Sequence, residues 1–307
     1  MKVIQKRILA IDMGNHSYKM IEAVRKPNIR ILRYSLCSSE DINGIGFLTK
    51  EMRKLQYLTK DAILSFHHKS MVIRELKLPE KYDFPFQQYI QEEMLRYETD
   101  FKEEYDYDYL ILPERNSTGQ NIAATAAVSR SVNREYIDRA LRLGLKLKAI
   151  DVQINASLRV LHCLMDRCKE LSPSSSYLML DLGYDNTTVA IAYLGRVFAP
   201  KVIPVGCRCL EEESADPADY LLPIIRGCGN LIDTFTYSYA DIPLRQGFVY
   251  GGGSYCRDIL SDIQSHIALN LSDMHSFQAY FPEIPSEMDL NLYVNCFGSL
   301  LRKDETE

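Results

Sequence analysis

The sequence predicts an α/β protein built from two copies of one fold, and three observations carry that expectation. Residues 8–23, ILAIDMGNHSYKMIEA, run an apolar strand into Asp12 and Gly14, turn through polar residues and start a second strand at once. Residues 177–193, YLMLDLGYDNTTVAIAY, repeat the pattern at constant spacing: Asp181 minus Asp12 is 169, and so is Gly183 minus Gly14. The small polar stretch LSPSSS at 171–176 stands just ahead of the second copy and reads as a joint between domains.

Element by element, RILAIDMG, SYKMIEAVR and NIRILRYSLC are apolar runs parted by turns holding Gly14 or Pro27 and Asn28, which predicts an antiparallel three-stranded meander. Leu48, Met52 and Leu55 recur at helical spacing within 47–57, and the strand DAILSFHH follows. SMVIRELKLP reads as a strand ended by Pro79, which has no N–H to give to a ladder. QQYIQEEMLRYE puts Ile90, Met94 and Tyr97 on one helix face. NIAATAAVS reads as a strand, and SVNREYIDRALRLG as a helix capped by Ser131 and stopped at Gly144. The strand LKLKAIDV then leads into the helical INASLRVLHCLMDR. Beyond the second copy of the hairpin, EEESADPADYL is acidic and broken by Pro217, and one helix is expected from about Pro223 to Tyr239. A short strand, GFVY, runs into three glycines and a helix with Cys256, Leu260, Ile263 and Ile267 along one face.

Composition narrows the function classes. With 307 residues, 46% of them hydrophobic, the chain can bury two cores. A net charge of −5 leaves no excess of cations to neutralise a phosphate backbone, which argues against nucleic acid as a partner. The opening apolar run meets Asp12 too soon for a signal-peptide core, and no later run has the ~18 apolar residues of a membrane span, so a cytoplasmic protein is expected. The eight cysteines include no CxxC pair and read as small core residues in a reducing compartment. His67 and His68 follow a strand and read as turn residues, while EEYDYDY is either a solvated strand edge or a partner surface.

Two such hairpins facing each other make a phosphate clamp. Gly14 and Gly183 let turn backbone approach an anion, with amide and hydroxyl donors from Asn15, Ser17, Asn186, Thr187 and Thr188, and positive charge from Lys19. Asp12 and Asp181 at the two strand ends would hold magnesium through its waters, which that ion is slow to lose. Gly251, Gly252, Gly253 and Ser254 allow close backbone approach to the base and ribose of a nucleotide. Neither a GxGxxG fingerprint nor a GxxxxGK[ST] loop occurs.

Together the hairpins AIDMGNHSYKMIEA and YLMLDLGYDNTTVAIAYLG and the turn YGGGSYCRDIL resemble the phosphate and adenosine motifs of the actin-like ATPase superfamily. More narrowly, the chain is similar over most of its length to the PilM-like proteins of type IV pilus assembly. That likeness extends through AILSFHHKSMVIRELKLPEKYDF, QQYIQEEMLRYE, AATAAVSRSVNREYIDRALRLGLKLKAIDV and the closing NLYVNCFGSLLR. The resemblance implies two actin-like (ribonuclease-H-like) domains around a nucleotide cleft. The first would take 1–65 with 150–174 and 288–307, with a small α/β module inserted at 66–149. The second would take 175–287, with a reduced helical subdomain at about 207–246. It further implies ATP and magnesium in the cleft, and a scaffold at the cytoplasmic face of the inner membrane that does not itself insert. The partners would be other pilus assembly proteins and a PilN-like inner-membrane protein. The N-terminal peptide of the latter would lie in a groove walled by the helix at 87–98, the strand at 70–78 and the first domain's own strands, with Tyr89, Arg96 and Tyr97 as contacts.

Two departures temper this. In the family, a helical subdomain after the second hairpin completes the adenine pocket; here only residues 207–250 lie between Gly206 and the glycine turn, so weak ATP binding and at most weak ATPase activity are expected. A RYIPFP-like stretch of the family is replaced by RYETDFKEEYDY, a more acidic edge. Two rival readings share the fold: a small-molecule kinase for a sugar or acid, and a filament-forming actin-like cell-division protein. The kinase needs a carboxylate base against a substrate hydroxyl, and no Asp-rich segment between the hairpins stands out. The tail RKDETE lacks the apolar face of a membrane-binding helix, which argues against an FtsA-like relative.

Overall fold

The computed structural model describes residues 6–14, 16–25, 28–38, 45–68, 70–79, 85–96, 104–112, 121–211, 216–256 and 258–303. One compact unit is His68–Arg139, and the chain on both sides of it makes the other.

In the larger unit, β1 (Arg7–Met13), β2 (Ser17–Val24) and β3 (Arg30–Ser38) form an antiparallel meander, and β4 (Asp61–Phe66) lies parallel to β1. Strands β5 (Val72–Lys77), β6 (Tyr105–Leu112) and β7 (Ile122–Ser129) belong to the smaller unit, after which β8 (Lys146–Val152) returns to pair parallel with β4. The first sheet has the order β3-β2-β1-β4-β8. The second repeats it as β11-β10-β9-β12-β13, from β9 (Ser176–Leu182), β10 (Thr187–Tyr193), β11 (Arg196–Ile203), β12 (Leu244–Tyr250) and β13 (Leu271–Asp273). Strands β1 and β9 are central in their sheets and buried almost throughout, which is why both read as continuous apolar runs and not as alternating ones.

The helices are α1 (Ile45–Lys54), α2 (Phe86–Leu95), α3 (Arg130–Arg142), α4 (Gln153–Arg167), α5 (Pro217–Ser238), α6 (Ile259–Ile267) and α7 (Leu290–Leu300). Helices α5 and α6 cover one face of the second sheet, with Tyr220, Ile224, Leu231, Phe235 and Ile263 packed on Leu180, Leu182 and Val189. Helix α4 follows β8 as α7 follows β13, and the two helices meet at backbone distance. A Cβ on Gly298 would stand 2.0 Å from the Ala156 carbonyl oxygen, and Arg159 Nε donates to the Gly298 carbonyl at 2.9 Å. Helix α7 also lies on the first sheet, with Cys296 Sγ 3.3 Å from the Ala10 carbonyl oxygen. Every residue of α7 except Leu292 is buried, so this last helix ties the two halves together.

Three local expectations are corrected. Helix α3 starts at Arg130, so Ser131 is inside it and does not cap it; the Ser131 hydroxyl pairs with that of Ser129 at 3.3 Å. Helix α5 starts at Pro217 and runs through Pro223: Asp216 caps it by accepting from the Ala218 N–H at 2.9 Å, and a proline in the first turn has no N–H that the helix would have used. The three glycines lead into a 3-10 turn, Gly252–Tyr255, and not into α6, so Cys256 precedes the helix whose buried residues are Ile259 and Ile263.

In the smaller unit, α2 covers one face of the antiparallel sheet β5-β7-β6, burying Ile90 and Met94 against Leu76, Leu78, Ala123 and Ala127. The acidic, tyrosine-rich stretch is the strand β6, whose only ladder partner among the described strands is β7. Its Tyr105, Tyr107 and Tyr109 pack on the module's core, while Leu110 and Ile111 are exposed. The compact unit ends at Arg139, short of the expected 149, because β8 is a ladder partner of β4 and belongs to the first sheet. All eight cysteines are free; Cys37, Cys168, Cys228 and Cys296 are buried and the other four half-buried. Among the described residues no helix is long and apolar enough to cross a membrane.

Candidate functional site

The ends of β1 and β9 place one carboxylate from each half in a shared cavity of about 240 Å³. Asp12 is 2% exposed. Its Oδ1 accepts from the Ser65 hydroxyl of β4 at 3.4 Å and from the Gln153 amide at the start of α4 at 2.5 Å, and Lys19 Nζ stands 3.8 Å from Oδ2. Burial pushes this carboxyl up, and Lys19, Gln153 and Ser65 pull it back. Asp181 has no ammonium opposite it. The ladder sets Lys19 across from Asp12, but Thr188 across from Asp181. Among the described residues its one side-chain hydrogen-bond partner is Asn295 of α7, whose Nδ2 donates to Oδ2 at 2.9 Å. Burial raises the Asp181 carboxyl to about 6; the Asn295 bond lowers it, the nearby Asp12 raises it, and Lys19 lowers it.

The two turns close the same way. Gly14 N–H donates to the Ser17 carbonyl at 3.2 Å and Gly183 N–H to that of Asn186 at 3.0 Å, and a Cβ on either glycine would stand 2.9 Å or 2.6 Å from that same oxygen. These two N–H groups are therefore spent on the turns and are not offered to an anion. The second turn is gripped further: Cys207 and Arg208 donate backbone N–H groups to the carbonyls of Gly183 and Tyr184 at 3.1 and 2.9 Å. At the tips the His16 ring stacks on the Tyr184 ring, with centroids 4.0 Å apart and planes 24° apart, and the Tyr184 hydroxyl donates to Glu211 at 2.7 Å.

The glycine turn makes the third wall. Gly251 has φ +90°, and a Cβ there would lie 2.5 Å from Asp181 Oδ1. Glycine is required twice over, by the dihedral and by the carboxylate. Of the residues expected at the site, the cavity gathers Asp12, Gly14, Ser17, Lys19, Asp181, Gly183, Asn186, Thr188, Gly251 and Gly252. Thr187 is fully buried and its hydroxyl donates to the Val205 carbonyl at 2.9 Å, away from the cavity. Gly253 packs on Leu182, and the Ser254 hydroxyl is used by the Gly251 carbonyl at 2.7 Å. Neither lines the cavity, and Asn15 lies outside the described residues. The sequence reading missed His16, Tyr184, Gln153, Asn291 and Asn295. Only the asparagines left a signal: in LNLYVNCFGSL, Asn291, Asn295 and Ser299 recur every four residues, a polar stripe on an otherwise apolar helix.

The residues fit a hydrated magnesium ion. Two carboxylates reach one cavity, and Asn295 Oδ1 is buried with no donor while its Nδ2 is committed to Asp181; a metal-bound water would supply that donor. Among the described residues no cluster of three His, Cys, Asp or Glu side chains that could hold an ion occurs, and magnesium usually keeps several of its waters. The residues assigned to a peptide partner lie in the smaller unit. Tyr89 is half-buried, its ring on the module's core and its hydroxyl donating to the Lys77 carbonyl at 2.8 Å. Arg96 is exposed and paired with Glu93 at 2.9 Å, and Tyr97 lies outside the described residues.

No protein-family model matches the chain, and no curated protein does. Solved structures do. A chain of the PilM-PilN type IV pilus biogenesis complex is 15% identical, with 97% of this chain and 98% of that one covered at a TM-score of 0.76. A Bacteroides thetaiotaomicron protein with actin-like ATPase fold and unknown function is 10% identical over 97% of both chains, at 0.55. The ethanolamine utilization protein EutJ from Carboxydothermus hydrogenoformans is 11% identical over 98% of this chain and 91% of its own, at 0.50. With its duplicated sheets and paired hairpins, the chain has the actin-like ATPase fold.

Proposed function

We propose that this chain is a PilM-like scaffold of a type IV pilus or related secretion machine. It works at the cytoplasmic face of the inner membrane, binds ATP with magnesium in the cleft, and recruits a PilN-like membrane protein through that protein's N-terminal peptide. The observation that supports this best is the match to the PilM-PilN chain, because 97% coverage takes in the smaller unit as well as both sheets. Actin-like domains at 1–65 with 150–174 and 288–307, and at 175–287, belong to the same reading. In it, Asp12 and Asp181 hold the hydration shell of the cation, and Lys19, Ser17, Asn186 and Thr188 face phosphate oxygens. A bound cation would add positive charge to a cavity whose described lining offers one ammonium, that of Lys19. The module supplies the peptide contacts, with Arg96 and Tyr97 ahead of Tyr89, whose hydroxyl and ring are already engaged within the module.

Fluorescence anisotropy with a labelled PilN-type N-terminal peptide tests the partner. Wild type should bind it, and a double change of Arg96→Glu with Tyr97→Ala should remove binding while thermal stability falls by only a few degrees. Unchanged affinity in the double variant moves the peptide site elsewhere. No binding by wild type overturns the scaffold reading.

A further inference from the structure

We propose that the cleft recognises a magnesium-bound di- or triphosphate by its phosphates alone and is blind to the base. This rests on reading the cavity as a phosphate and cation site, and names what that site discriminates.

Size is the first argument. The cavity, about 240 Å³, lies below the roughly 300–1,000 Å³ of pockets that enclose a drug-sized ligand, and a nucleoside triphosphate is of that size. It can take a phosphate chain with a hydrated ion, and the nucleoside would remain in solvent.

The second argument is that the places where a base could lie flat are filled by the chain itself. At the mouth, His16 and Tyr184 are stacked on each other with centroids 4.0 Å apart, and a base slipped between them would need the rings roughly twice as far apart. Behind the glycine turn, the Tyr220 hydroxyl lies 3.0 Å from where a Cβ of Gly253 would be, and Tyr220 is fully buried. Beside it the half-buried Cys207 and Cys256 pack on the same apolar cluster as Tyr220, which fills that side of the turn.

Third, the groups that remain are those phosphates and hydrated cations use: Lys19, Thr188, Ser17 and Asn186, with the two carboxylates. Four carboxylates, of Asp12, Asp181, Asp185 and Glu211, outnumber the one ammonium, of Lys19, among the described lining residues. A bare polyanion is repelled by that balance, so it enters only with a divalent cation.

Titration calorimetry of the full chain against ATP, GTP and inorganic tripolyphosphate, each with magnesium and each with EDTA, tests this. The dissociation constants should agree within about threefold, a difference of ~0.7 kcal/mol, and binding should vanish in EDTA. ATP binding tenfold or more tighter than both others would overturn base-blindness and leave the cleft reading standing. No binding by any of the three overturns both. Binding that survives EDTA overturns the magnesium requirement. In His16→Ala any change should be the same for all three ligands. A loss confined to ATP and GTP would put the base between the rings and overturn the proposal.

Discussion

The two hairpins share a turn geometry and a strand order, yet they treat their carboxylates differently. Asp12 has Lys19 across the ladder, with Ser65 and Gln153 besides; Asp181 has Thr188 across the ladder and, among the described residues, only the Asn295 amide as side-chain hydrogen-bond partner. The first copy is partly compensated within the protein: burial still holds its carboxyl above the ordinary value, but Lys19, Gln153 and Ser65 pull it back. The second is left at about 6, which marks a buried carboxylate still short of positive charge. The difference teaches that the duplicated fold supplies a frame for two acids, and that the side chain seven residues on decides how far the protein itself offsets each of them.

The same two copies meet at α4 and α7, and breaking that joint should give the largest effect. Gly298→Ala drives a Cβ into the Ala156 carbonyl, a backbone atom that cannot swing away. Overpacking of this kind costs up to ~3 kcal/mol and occasionally more, readable as a lower urea midpoint. A midpoint within error of wild type would mean that the helices separate easily.

Next in size is the contrast between Asp181→Asn and Asp12→Asn. The gap between about 6 and the ordinary 3.8 corresponds to ~3 kcal/mol held against the ionised form of Asp181. The folded value lies above the unfolded one, so the folded protein keeps a proton that the unfolded chain has released. The proton's stabilisation is complete below pH 3.8 and is lost as pH rises through 6. In EDTA at pH 7, Asp181→Asn should therefore be more stable than wild type by up to ~3 kcal/mol, with the advantage shrinking toward pH 4. Asp12→Asn should gain less, because it strips Lys19 of its counter-charge. Equal gains from the two variants would erase the asymmetry between the copies.

The smallest effect is expected from moving one charge. Lys19→Met should weaken binding of magnesium triphosphate about tenfold, ~1.4 kcal/mol, and should also lower thermal stability, because it leaves the buried Asp12 carboxylate without the ammonium 3.8 Å away. An unchanged affinity would remove Lys19 from the phosphate site.

Much of this arrangement was legible in the sequence because it is local. A buried central strand, a Gly turn and a second strand leave a contiguous signature, and its recurrence at 169 residues disclosed the duplication. Proline misled at α5: read as a breaker, Pro217 is a helix start, since a missing N–H is harmless in the first turn. The mouth of the cleft could not be read, because His16 and Tyr184 meet only after two domains have folded against each other, and nothing near either residue announces the other. Gln153 and Asn295 reach their carboxylates from helices far along the chain, and only the asparagine stripe hinted at the second.

The claim that Asp12 and Asp181 share one hydrated cation is tested most directly by manganese as a spectroscopic substitute for magnesium. Electron paramagnetic resonance of the chain with manganese and tripolyphosphate should show one bound ion that keeps most of its waters, and Asp12→Ala and Asp181→Ala should each release it. A bound-ion signal unchanged in either variant would contradict the shared site.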